Sequence, residues 1–242
     1  MKTKLTKQEK NWILYDVGNS AFTLLAATIL PIYFNYIAGK QGLSDVQYLA
    51  YWGYAVSIAT LLTALAGPVF GTVADTKGYK KPVFTIALGI GAIASVALGF
   101  AKYWLAFLVV FVIAKVGYSV TLVFYDSMLV DVTSEDRMDE VSSQGYAWGY
   151  IGSCVPFVIC LLVVLNAGKI GITMETAMMV SFVIITVWWV IMTLPLLKTY
   201  HQKYYVEKKQ HAFSESFKRI GITLKNVEKE KKVFLFLLAF FF

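Results

Sequence analysis

Six long segments with almost no charged residues restrict this chain more than any other feature of its sequence. They cover residues 12–37, 48–74, 82–101, 103–128, 141–167 and 174–197. A helix of about 20 apolar residues is long enough to cross the hydrocarbon core of a bilayer. Only 15% of the 242 residues are charged, against about 25% in a typical soluble domain. The sequence therefore predicts an all-α membrane protein with a bundle of six transmembrane helices.

The positions of the basic residues predict how the spans are oriented. Of the 22 lysines and arginines, 18 lie before the first span, in alternate connections, or after residue 197. Three others lie in the remaining connections, and Lys115 lies inside a span. Because positive charge collects on the cytoplasmic side of membrane proteins, we expect a cytoplasmic N-terminus. The net charge of +7 is then a consequence of topology, and it gives no reason to expect nucleic-acid binding.

The residues beyond the sixth span differ in composition from the bundle. We predict a transmembrane domain over 1–197, a basic and partly amphipathic cytoplasmic linker over 198–232, and the start of a seventh helix over 233–242. Six spans, a long connector and a further apolar run are typical of half of a twelve-helix plan. We therefore expect a truncated chain that has lost a C-terminal six-helix half.

Polar residues on the first span share one helical face. Asp16, Asn19, Ser20 and Thr23 are spaced three to four residues apart, so their side chains lie above one another. An ionisable residue in hydrocarbon costs roughly 2.5–3.5 kcal/mol and persists where it faces protein or water. Two interpretations stay open for Asp16: an inward-facing pathway residue, or an interfacial acid paired with a loop lysine.

The fourth span carries a second polar face, formed by Lys115, Ser119 and Asp126. Lys115 lies midway along the span, too deep for its amine to reach the interface easily. It is predicted either to hold an anionic group or a coupling proton in a transport path, or to form a structural ion pair. Asp126 lies near the cytoplasmic mouth, where it could instead belong to a network of loop residues.

Small residues predict where helices touch, because close backbone approach drives helix association in lipid. Two ridges follow from the spacing, Thr60, Ala64, Gly67 and Gly71 on the second span and Gly145, Gly149 and Gly152 on the fifth. Pro31, Pro68 and Pro156 can kink their helices. Cys154 and Cys160 point to different helical faces and cannot bridge to each other. No residues have the spacing of metal ligands.

The loop between the second and third spans carries a recognisable pattern. It runs from Gly71 through Asp75 and Gly78 to Lys80 and Lys81. This pattern resembles the corresponding loop of the major facilitator superfamily. The resemblance implies that Asp75 caps and pairs with neighbouring helix ends, and that the loop gates the cytoplasmic side. We expect Lys80 and Lys81 at the lipid surface, with Lys80 able to replace the basic residue that the family usually has at Tyr79.

Three further stretches narrow the resemblance to one branch. Residues 12–22, 124–131 and 141–152 are similar to the vacuole effluxers, the relatives of autophagy-linked amino acid exporters. That branch commonly has asparagine where this chain has Asp126, so the charge differs. The resemblance covers the N-terminal half of such a protein and implies a bundle of two inverted three-helix repeats.

These observations predict a multi-pass plasma-membrane transporter. The expected activity is alternating-access transport of a small polar solute, by resemblance an amino acid moved outwards, with possible proton coupling and no bound cofactor. The lipid bilayer and a C-terminal six-helix half are its expected partners. The alternative is a half-size membrane protein that works as a homodimer or scaffold. An intramembrane enzyme is disfavoured, because neither histidine lies in a span and no protease-type motif is complete.

Overall fold

The structure is a computed structural model that describes residues 4–207 and residue 235. Seven α-helices occupy the described range: α1 (Lys7–Ala27), α2 (Ile29–Lys40), α3 (Asp45–Asp75), α4 (Lys80–Ala97), α5 (Trp104–Val132), α6 (Met138–Leu165) and α7 (Met174–Thr199). Helices α1 and α2 form one span, so six spans are long and apolar enough to cross a membrane. The predicted six-helix bundle is confirmed. Residues 208–232 of the predicted linker, and all but one residue of the predicted seventh helix, lie outside the described residues.

The first span is broken at Thr28, and the sequence explains the break. Pro31 lies three residues further on, and a proline has no backbone N–H for the helical ladder. Thr28 has φ −121° and ψ −67°, outside the helical region, and its hydroxyl donates to the carbonyl of Leu24. The start of α1 is fixed by a capping box, in which Thr6 and Glu9 bond each other's backbone N–H groups. The kink expected from Pro31 is therefore a break between two helices.

The helices pack as two groups that share a buried aromatic seam. Helix α1 packs mainly on α6 and α7, and α5 packs mainly on α4 and α3. The groups meet where Trp12 stacks on Tyr125, with ring centroids 4.1 Å apart. Tyr15 lies against Tyr125 and donates to Thr121 at 2.7 Å. This seam sets the height of α1 relative to α5.

The two ridges of small residues behave differently. On α6, an added Cβ would come within 2.4 Å of Val17 at Gly152 and within 3.0 Å of Ser20 at Gly149. This ridge therefore lets α1 approach closely, as predicted. On α3, a Cβ at Gly67 or Gly71 would meet nothing within 4 Å. The prediction that the α3 ridge touches another helix is wrong for the part of the chain that the structure describes, because that ridge faces away from the bundle.

Different connections meet at the two ends of the bundle, and each end contains an ion pair. One end, called here the basic end, brings together Thr6, residues 75–80, residues 131–137 and residues 200–207. There Arg137 pairs with Glu9 at 3.2 Å. At the opposite end Lys40 pairs with Glu175 at 2.6 Å. The connections that the sequence assigns to one side of the membrane therefore lie together.

Candidate functional site

A cavity of about 430 Å³ opens in the half of the bundle nearer the basic end. Three helices line it, α1, α5 and α6. Its walls are formed by Trp12, Asp16, Asn19, Ser20, Thr23, Leu24, Tyr118, Leu122, Tyr125, Asp126, Leu129, Ser142, Tyr146 and Tyr150. Two carboxylates, several hydroxyl groups and five aromatic rings therefore surround one space within the span of apolar helices.

The polar face of α1 supplies one wall of this cavity. Asp16 is 8% exposed and Asn19 is 2% exposed, and Ser20 lies beside them. The α6 ridge makes room for the acid, since a Cβ at Gly149 would lie 3.2 Å from the Asp16 carboxylate carbon. The polar face of α1 that the sequence predicts therefore packs beside the glycine ridge of α6.

The polar face of α5 is divided by the structure. Asp126 lines the cavity, but Lys115 and Ser119 do not. The Lys115 amine lies 5.2 Å from the centre of the Tyr118 ring, and Tyr118 is itself a cavity residue. Lys115 forms no ion pair among the described residues. Lys115 therefore lies beside Tyr118 outside the cavity lining, on the side away from the basic end.

Hydrogen bonds between α1 and α5 hold the two carboxylate-bearing helices in register. The hydroxyl groups of Thr23 and Tyr118 lie 2.6 Å apart. The indole N–H of Trp12 donates to the carbonyl of Tyr125 at 3.1 Å. Because one bond lies at each end of the cavity, the positions of the two helices around it are fixed.

Two polar groups on the cavity wall are buried without a partner. The amide nitrogen of Asn19 and the hydroxyl of Tyr125 have no hydrogen-bond partner in the part of the chain that the structure describes. Both side chains are at most 3% exposed. A buried polar group normally has a partner, and the Asn19 amide also interacts with the neighbouring Asp16 carboxylate.

The Gly71–Lys81 loop lies at the basic end. Helix α3 ends at Asp75 and α4 begins at Lys80. Gly78 has φ +76°, a conformation that favours glycine and turns the chain between the helices. The side chains of Asp75 and Lys81 are exposed, and Asp75 has no ion-pair partner among the described residues. A cap from the Asp75 side chain to a neighbouring helix end is absent within the same residues.

Lys80 corrects the expectation that it lies at the lipid surface. Its side chain is 2% exposed. The amine donates to the carboxylate of Asp131 at 2.9 Å and to the carbonyl of Ser127 at 2.9 Å. Position 80 faces the basic end of α5, so the amine is drawn inwards by a buried acid.

Asp131 is the centre of a network that the sequence did not identify. Besides Lys80, its carboxylate accepts the hydroxyl of Tyr200. It also accepts the backbone N–H groups of Lys203 and Tyr204, at 2.8 and 2.9 Å. We call these five residues the Asp131 cluster. Burial and the bond to Asp131 raise the pKa of Tyr200 well above its usual value, so Tyr200 keeps its proton and remains a donor.

The residues after α7 form a strap across the loop. The N–H of Val206 donates to the carbonyl of Asp75 at 2.7 Å, and the N–H of Lys77 donates back to Val206 at 3.1 Å. The Gln202 side chain accepts the N–H of Gly78 at 3.0 Å. The strap therefore ties the α3–α4 loop to the end of the sixth span.

Neither the Asp131 cluster nor the aromatic lining has a local signature. Asp131 is 51 residues from Lys80 along the chain, and Tyr200 follows the last span. The one signal available in the sequence was an acid at the end of a span, because Asp131 directly follows an apolar run. No group of three or more metal-ligating side chains occurs within the described range.

Comparison with known proteins gives consistent results. The chain is 40% identical, over its whole length, to an uncharacterized MFS-type transporter, YxiO, of Bacillus subtilis, and it spans 58% of that protein. It is 36% identical over 92 residues to the multidrug resistance protein MdtG of Yersinia enterocolitica, covering 38% of this chain and 21% of that one. The family model described as "Vacuole effluxer Atg22 like" matches residues 5–138 and 130–242. This chain is therefore an integral membrane protein that belongs to the vacuole effluxer Atg22-like family, a family of major facilitator type.

Proposed function

We propose that this chain is the N-terminal half of a secondary transporter that carries a small polar solute by alternating access, and that it is not an enzyme. The observation that supports this most directly is the cavity between α1, α5 and α6, with Asp16 and Asp126 on its walls. Ionisable residues within membrane spans commonly mark solute or ion pathways. The similarity to MFS-type transporters points the same way.

Two exposed surfaces support a second bundle as the missing wall. The outward ridge of α3 at Gly67 and Gly71 has open space around it. At the cavity edge, Tyr146 and Tyr150 are 65% and 67% exposed. In transporters built from repeats, the substrate lies between two bundles. We propose that a C-terminal six-helix half covers both surfaces, and that two copies of this chain are the alternative.

The charge distribution supports a cytoplasmic basic end, and we propose a plasma-membrane location. Under this orientation the Gly71–Lys81 loop gates the cytoplasmic side. Asp75 and Lys81 are exposed and so are available to the second half, whereas Lys80 holds the loop to Asp131. In this proposal Lys80 fixes the loop to this half of the transporter, whereas Asp75 and Lys81 remain free to contact the other half.

The family description names efflux, and the resemblance noted in the sequence points to amino acids as the solute. In this proposal Asp16, Asn19, Ser20 and Asp126 contact the solute, and the two acids are the groups available for proton coupling. Lys115 and Ser119 lie further along the pathway, where Lys115 binds the anionic group of the solute.

Counterflow in proteoliposomes tests transport. Vesicles containing the full-length protein are preloaded with unlabelled amino acids, and uptake of the labelled mixture is measured. We expect transient accumulation above that of empty vesicles, and its absence would reject amino acid transport. Lys115→Ala should reduce the uptake at least about tenfold, and the exposed Lys102→Ala serves as its control. Unchanged uptake in Lys115→Ala would remove Lys115 from the pathway.

The homodimer alternative has its own test. Light scattering on the 242-residue chain in detergent gives its mass after subtraction of the micelle. A stable dimer that Gly67→Leu dissociates would favour two copies, because that substitution places a bulky side chain on the outward ridge. A monomer would favour the C-terminal half.

A further inference from the structure

We propose that the cavity between α1, α5 and α6 binds the protonated amino group of a small organic solute. This inference rests on the proposed transport function and names the chemical class of its substrate. It is carried by four features of the cavity: its charge, its aromatic walls, its unpartnered polar groups and its size.

The charge of the cavity is negative. Asp16 and Asp126 both line it, and its lining contains no lysine, arginine or histidine. Neither acid has an ion-pair partner among the described residues. Asp16 is buried and Asp126 is exposed, and two carboxylates that line one space repel each other and are stabilised by a cation between or beside them. A cationic group is therefore the favoured occupant of the space between these two acids.

The walls are suited to an organic cation. Trp12 and Tyr125, whose rings stack at 4.1 Å with an interplanar angle of 14°, both belong to the lining. Tyr118, Tyr146 and Tyr150 complete the lining. Aromatic faces attract an ammonium group, more strongly when the group is desolvated. The same rings pack against the apolar part of an amine, which they would not do for a hydrated metal ion.

The unpartnered groups indicate what else the solute carries. The Tyr125 hydroxyl can accept a hydrogen bond from an ammonium group, and the Asn19 amide nitrogen can only donate. Both are buried and lack a partner at hydrogen-bond distance within the described residues, although the Asn19 amide also interacts with Asp16. A bound solute with an ammonium group and a neighbouring oxygen would satisfy both. An amino acid meets this requirement, as does an amino alcohol.

The volume agrees with a small molecule. About 430 Å³ lies within the range of roughly 300–1,000 Å³ found for ligand sites. The hydroxyl groups of Ser20, Thr23 and Ser142 are spread around this space. They provide further acceptors for an ammonium group that moves between the two carboxylates.

Equilibrium dialysis of the purified 242-residue chain in a nonionic detergent tests the proposal. The probes are 2-phenylethylamine and cyclohexylmethylamine, each compared with the corresponding alcohol, and 3-phenylpropionate. Empty micelles correct for partitioning into detergent. We expect both amines to bind at least about tenfold more tightly than their alcohols, and the anion not to bind.

Variants locate the binding. Asp16→Asn and Asp126→Asn should each weaken amine binding about tenfold or more, and Tyr125→Phe should weaken it severalfold. Asp45→Asn is the matched control, because Asp45 is exposed at the start of α3 near the opposite end. Asp16→Glu and Asp126→Glu should each restore part of the affinity, which separates loss of charge from loss of folding.

Two results would overturn the proposal: amines that bind no better than their alcohols, or amine binding that neither Asp→Asn change weakens. The transport proposal fails separately. If the full-length protein in proteoliposomes moves a solute that these amines do not compete with, transport stands and the substrate class is wrong. If the amines bind but no protein-dependent flux occurs with any probe, the site stands and transport is wrong.

Discussion

The bundle contains two groups of acids that the fold treats in opposite ways. In the Asp131 cluster, one carboxylate accepts four hydrogen bonds, including that of a buried lysine. In the cavity, Asp16 and Asp126 share a space without a counter-ion among the described residues. Charge removed from water is tolerated when it is fully paired. The comparison teaches that the first acid is paired within the fold, whereas the other two have no such pairing and, in our proposal, bind a cationic solute.

The largest expected effect comes from making the same Asp→Asn substitution in the Asp131 cluster and in the cavity. Asp131→Asn leaves the Lys80 amine buried without its counter-ion, which costs about 3–5 kcal/mol in comparable cases. Asp126→Asn should leave stability unchanged or increase it, since it removes an unpaired charge facing Asp16. Thermal melting in detergent compares the two variants with the wild-type chain. Equal destabilisation would show that the two groups are not different in kind.

Tyr200→Phe measures how much one donor contributes to the Asp131 cluster. A hydrogen bond to a charged group contributes roughly 1.5–3 kcal/mol, so the melting temperature should fall at neutral pH. The raised pKa of Tyr200 adds a pH signature. The unfolded chain loses this proton above about pH 10 while the folded chain keeps it, so unfolding becomes easier as pH rises past that value.

The Tyr200→Phe variant should lose less stability than the wild-type chain between pH 9 and pH 11. Melting curves of the two chains across that interval supply the measurement. Parallel curves would mean that Tyr200 ionises equally in both states, which contradicts its buried bond to Asp131.

The smallest expected effect concerns the space around Asp16. Gly149→Ala brings a methyl group within 3.0 Å of the Ser20 hydroxyl and 3.2 Å of the Asp16 carboxylate carbon. Such overpacking costs about 1–3 kcal/mol and should narrow the cavity. Gly67→Ala is the control, with nothing within 4 Å, and should be neutral or slightly stabilising. If Gly149→Ala also left stability unchanged, the glycines of α6 would not be what makes room for the Asp16 side chain.

Much of the fold follows from local sequence, and the site follows only in part. The spans and their ends depend on apolar runs and charged connections, which neighbouring residues define. The same local logic placed Asp16, Asn19 and Ser20 on one face. It could not divide the polar face of α5, because whether Lys115 or Asp126 meets the cavity depends on where α1 and α6 stand beside α5.

Lys80 shows the limit most clearly. A basic residue at the end of a span normally extends to the interface, and nothing near it in sequence suggests otherwise. Its partner is 51 residues away, and Tyr200 reaches the same acid from 69 residues beyond it. Contacts between residues this distant exist only once the helices are assembled. The same holds for the aromatic walls, whose members come from three helices.

The sequence by itself determined that the chain is a six-span helical membrane protein. Segments this apolar enter the bilayer, and there each backbone must satisfy its own hydrogen bonds, which a helix does. Only the tertiary structure decided which acids are neutralised and which remain open. The residues of the Gly71–Lys81 loop predict a gate. They do not predict the bonds of this loop to Asp131 and to the strap. Pairing of buried charges is a property of packed neighbours, and the chain acquires those neighbours only on folding.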